Sequence, residues 1–158
     1  MKFKSEYLLK RCLEVEAVLN KAKLWASQDP QLDGYLGGYF AVMISGVFED
    51  CFEHLVYERA SRTNDKELTS LVHELVDQTF RNPNAATILG FIKKFSIEYA
   101  QEYSSRIEFR HSSALDSIVT DKNSLGHGTL TRNVTISDVT DYFQRSIPIL
   151  EALEEILS

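Results

Sequence analysis

Apolar residues recur along this chain at intervals of three and four, the period of an α-helix. Leu8, Cys12, Val15, Leu19 and Ala22 predict a first helix from about Ser5 to Ala26. Asp29-Pro30 then signals a turn. A second helix is expected from about Leu36 to Ser61. It is apolar on nearly all sides until Phe48, which places it centrally; beyond that, Cys51, Phe52, Leu55 and Val56 read as inward, with Glu49, Asp50, Glu53, Glu58 and Arg59 outward. Gly37, Gly38 and Gly46 would let neighbouring helices approach it closely.

The remaining helices follow from the same spacing. A third is predicted over about Lys66 to Phe80, with Leu68, Leu71, Val72, Leu75, Val76 and Phe80 inward. A fourth covers about Ala85 to Ser105 on the stripe Ile88, Phe91, Ile92, Phe95, Tyr99 and Tyr103, with Lys93 and Lys94 on its solvated face. The fifth starts near Ser112 and ends at Gly128. The last runs from Ser137 to Leu157 with Thr135 or Ser137 as cap, and Pro148 should kink or split it. Nothing reads convincingly as a strand. The fold class is therefore all-α, one helical bundle of about five or six helices spanning 1–158.

Composition narrows the function. A chain of 158 residues can bury a core without disulfides or metal. Cys12 and Cys51 both fall on apolar stripes and read as buried free thiols. Cys51 and His54 have a spacing that metal ligands use, but no second pair accompanies them. No apolar run is long enough to span a bilayer, and the N-terminus lacks the run of a signal peptide. A cytoplasmic protein without membrane contact is expected. The net charge of -6 argues against long DNA as a partner, though not against a local RNA-cutting site.

One segment departs from packing logic. A continuous helix through Leu115–Gly126 would put Leu115, Ile118, Lys122 and Leu125 on one inward stripe. Burying a lysine is costly. Either the helix breaks near Thr120-Asp121 and exposes Lys122, or Lys122 points into a polar cleft or interface. Asn123 and His127 are four apart and share a face. Gly126 and Gly128 flank the histidine. A histidine at the negative end of a helix suits acid–base chemistry near neutral pH, although His-Gly at a helix end also serves simply as a cap.

Lys122-Asn123-Ser124-Leu125-Gly126-His127-Gly128 resembles the Arg-Asn-x-x-Ala-His-Gly signature of HEPN domains. The element order resembles that superfamily too, with Ile44-Ser45-Gly46-Val47-Phe48-Glu49 on the central helix, and the RiboL-PSP-HEPN branch is the most similar. The resemblance implies an up-down helical core and a homodimer that cuts RNA without metal or cofactor. In that family an arginine and a histidine from two protomers meet across the dimer cleft, where a 2′-hydroxyl attacks the adjacent phosphate. His127 would act as general base or acid, Lys122 would stabilise phosphate charge, and Asn123 would be the accompanying polar group. Glu49 resembles an acidic position on the family's central helix; a solvated helix carboxylate is the plainer reading.

Lysine stands where the family carries arginine, and it lacks the planar two-point grip on phosphate. Arg106 and Arg110 are candidates to supply that charge. They also belong to a second arginine–histidine spacing, Arg106 to His111, which lacks the polar neighbour and the trailing glycine. His54 and His73 fall within helices and read as surface or core residues. Two functions follow. One is an endoribonuclease of a toxin–antitoxin or anti-phage defence system. The other is a non-catalytic module that binds an antitoxin or another defence-system protein. A metal bundle built on Glu-x-x-His pairs is a weaker third reading, because only Glu108 and His111 have that spacing.

Overall fold

A computed structural model describes residues 1–26, 29–79, 82–126 and 134–158. They form seven helices and no strand: α1 (Glu6–Ala26), α2 (Pro30–Ser61), α3 (Lys66–Thr79), α4 (Ala85–Phe95), α5 (Ile97–Arg106), α6 (Phe109–Gly126) and α7 (Ile136–Leu157). One hydrophobic cluster draws residues from all seven. Helices α2 and α7 are its two central members. α2 packs on α1, α3, α6 and α7, and α7 also packs on α1, α5 and α6. No described helix is long and apolar enough to cross a membrane.

Local chemistry explains where the helices begin. Asp29 caps α2 by accepting from the amides of Gln31 at 2.9 Å and Leu32 at 3.3 Å, with Pro30 in the first turn. Pro is tolerated there because its missing N–H would have no intrahelical partner. The Asp-Pro pair thus starts α2 several residues before the predicted Leu36. Asn64 adopts φ 54° in the turn before α3, and Asp65 then caps that helix. Thr135 and Asp138 form a reciprocal capping box on α7, which assigns the cap to Thr135.

The single helix predicted over 85–105 is two. Ser96 sits in extended backbone, ends α4 and caps α5 through its hydroxyl, which accepts from the Tyr99 amide at 3.2 Å. Pro148 does not split α7, which runs unbroken from Ile136 to Leu157. Ile147, Ile149 and Leu150 are all buried around it, and that packing holds the helix across the missing N–H.

The largest difference concerns α3. Of its described stripe only Val76 is buried, whereas Leu68, Leu71 and Leu75 are exposed. Periodicity identified the apolar face correctly, but among the described helices only α2 packs against it. Elsewhere the inward stripe of α1 is buried throughout, as are Cys12 and Cys51, both free thiols. A hydrogen bond with the Cys12 side chain, reinforced by burial, pushes the Cys51 thiol far above its usual range, so it stays protonated and unreactive.

The start of α1 is tied to the last turns of α7. The buried Glu154 carboxylate accepts from the amides of Lys4 at 2.9 Å and Ser5 at 2.5 Å. These precede the first turn of α1, where backbone amides have no partner within the helix.

Candidate functional site

Helix α6 stays continuous to Gly126, so Lys122 keeps its place on the inward stripe behind the buried Leu115 and Ile118. The lysine is accommodated because α2 presents polar groups opposite it. Lys122 Nζ lies 2.7 Å from Glu49 Oε1 and 3.3 Å from the hydroxyl of Ser45. Ser45 is fully buried, and the Lys122 and Glu49 side chains are 22% and 23% exposed. Of the two sequence-level options for Lys122, the polar cleft is correct. Glu49 is correspondingly not a solvated carboxylate but half of an ion pair.

Ser45 was not among the candidate site residues. Its signal was nonetheless present: it interrupts an apolar stretch and lies four residues before Glu49, on the same helix face.

Asn123 is exposed next to Lys122. Asp121, on the other side, is buried at 5% exposure without ending the helix. Gly126 is the last residue of α6. His127 and Gly128 lie outside the described residues. The exposed Leu125 meets α2 at Gly38, where an added Cβ would stand 3.5 Å from Leu125 Cδ1. The end of α6 therefore lies over the N-terminal half of α2.

That half of α2 carries an exposed apolar stripe: Leu32, Tyr35, Tyr39 and Val42. Their spacing of three, four and three places them on one face. The same spacing continues from Val42 to Ser45 and Glu49, so the stripe runs up to the Lys122 ion pair.

Arg106 and Arg110 do not join this site. Arg106 is held by Glu102 and Glu155, and Arg110 by Glu108 at 3.0 Å. Arg110 is also about 18 Å from Lys122 along α6 at the usual helical rise. His111 is buried and its Nδ1 accepts from the Glu108 amide at 3.2 Å, a local bond at the start of α6. His54 stacks on Tyr7, and His73 stacks on Tyr57 at 3.6 Å between centroids. Among the described residues no group of three or more His, Cys, Asp or Glu could hold a metal ion.

Comparison with known families, curated proteins and solved structures finds no match for this chain.

Proposed function

We propose that this domain is a HEPN-like, metal-independent endoribonuclease that works as a homodimer, with His127 as general acid or base, Lys122 as the phosphate-stabilising charge and Asn123 beside it. The observation that carries the reading is the contact of Lys122 with Glu49. These positions are 73 residues apart, and the resemblance pairs both with the family's functional helices. The exposed stripe Leu32–Tyr35–Tyr39–Val42 supports the dimer, because it offers a second copy an apolar seat that ends at Lys122. A toxin–antitoxin or anti-phage setting accompanies this reading by resemblance alone.

The same ion pair favours a second reading. A lysine already neutralised by a carboxylate of its own chain has less charge to give a phosphate. In that case the domain is a catalytically degraded module that binds an antitoxin or another defence-system protein through the same stripe.

The two are separated by incubating the protein with single-stranded RNA in chelator, beside His127→Ala and Lys122→Ala. The nuclease reading expects cyclic-phosphate ends from the unaltered protein and a loss of roughly a hundredfold or more in each variant. Cleavage that is absent, or equal in all three, removes it. A partner complex that persists in both variants then supports the module.

A further inference from the structure

Between α3 and α4 lies a cleft of about 350 Å³, floored by the end of α2. One wall is Leu68, Val72 and Leu75 of α3, the other Phe91 and Phe95 of α4. This size falls at the small end of the range of about 300–1,000 Å³ typical of small-molecule sites. The lining is apolar except for Thr63 and two cations, Arg59 and Lys94.

Those cations set the cleft apart. The chain carries a net charge of -6, and among the described residues its other partly buried lysines and arginines have carboxylate partners: Arg11 with Asp50 and Glu14, Lys122 with Glu49, Arg145 with Asp141. Arg59 is half-buried, yet its only side-chain bond among the described residues is to a neutral phenol, with Nη2 donating to Tyr99 Oη at 3.0 Å. No carboxylate among the described residues pairs with Arg59 or Lys94, and none lines the cleft. Tyr99 fixes one edge of the guanidinium and leaves other N–H donors unused. A partly desolvated guanidinium beside an apolar cavity is best satisfied by an anion attached to an apolar body.

We infer that this cleft binds a small aliphatic carboxylate, its chain between α3 and α4 and its carboxylate on Arg59 and Lys94. The site is independent of the RNA reading, because Arg59 is about 15 Å from Glu49 along α2 at the usual helical rise.

The test is calorimetric titration of the protein with sodium decanoate below its micelle concentration, beside decyltrimethylammonium as a probe of equal chain length and opposite charge. One decanoate per chain should bind, the cationic probe should not, and Arg59→Gln should weaken decanoate by about tenfold or more, the range expected when a charged hydrogen bond is lost. Because Arg59 also holds Tyr99, Lys94→Gln on the exposed rim serves as the second variant and should weaken binding while leaving Tm unchanged. Decanoate bound equally by the protein and both variants, or the cationic probe bound as well, overturns the assignment. So does a failure of decanoate to bind, which would leave the cleft as a seat for a partner protein's side chains.

Discussion

Lys122 on α6 and Glu49 on α2 meet at 2.7 Å with both side chains mostly covered. Removing one member strands the other in a partly desolvated setting. We expect Lys122→Ala or Glu49→Ala alone to cost about 1–2 kcal/mol, between the values for exposed and buried pairs. The Lys122→Ala, Glu49→Ala double variant should cost less than the sum of the single changes. Urea unfolding of the four proteins measures the coupling; simple additivity would show that the pair contributes nothing to holding α6 on α2.

Two glycines on α2 should respond in opposite directions. A Cβ at Gly37 would stand 2.0 Å from the Val134 carbonyl oxygen, whereas one at Gly46 meets nothing within 4 Å. Gly37 is required by a close backbone approach just ahead of α7, next to the Ile136 amide that donates to Asp33 at 2.9 Å. Gly37→Ala should therefore destabilise by about 2 kcal/mol or more, as overpacking does. Gly46→Ala should stabilise by up to about 1 kcal/mol through helix propensity. Thermal unfolding of the two variants checks both signs.

Glu53 lies among Asp77, Asp50 and Glu49, and burial followed by these charges raises its carboxyl above the usual 4.5. The fold therefore holds the ionised form less well than the unfolded chain does. That penalty is absent below the unfolded value and complete once the pH has risen past the folded one. Glu53→Gln should raise Tm at neutral pH, with the gain shrinking to nothing as the pH falls below about 4, near the unfolded glutamate value. A gain that is the same at both pH values would mean the carboxylate's charge is not the cause.

Tyr103 is buried at 3% exposure and its hydroxyl finds no partner among the described residues. The same burial raises its pKa. An unmade buried hydrogen bond costs about 1–3 kcal/mol. Tyr103→Phe should thus be neutral or stabilising, by up to about 1 kcal/mol. A loss of more than that in denaturant unfolding would show that the hydroxyl is bonded in solution.

Much of the fold is legible from spacing alone, because a buried stripe such as Leu8–Cys12–Val15–Leu19 admits one period. The break at Ser96 was not, since Ile92, Phe95, Tyr99 and Tyr103 stay in helical step across it. Only the capping habit of serine marked it. In α3 the apolar face was visible, but periodicity is silent on whether a neighbour covers that face. The site divides in the same way. Lys122 stood out as a lysine on an inward stripe, which is a local observation. Its partners Ser45 and Glu49 come from a helix more than 70 residues earlier, and no local pattern could choose between a broken helix and a polar cleft. His127, on which the proposed chemistry rests, lies outside the described residues.

The Glu154 carboxylate has a bearing on the order of events during synthesis. The amides ahead of α1 find their acceptor some 150 positions later in the chain. A polypeptide emerging N-terminus first would have some 150 residues beyond those amides synthesised before that acceptor appeared. Helix α1 is thus expected to become fully anchored only late, leaving Tyr7, Leu8 and their neighbours open to chaperones or proteases until α7 docks.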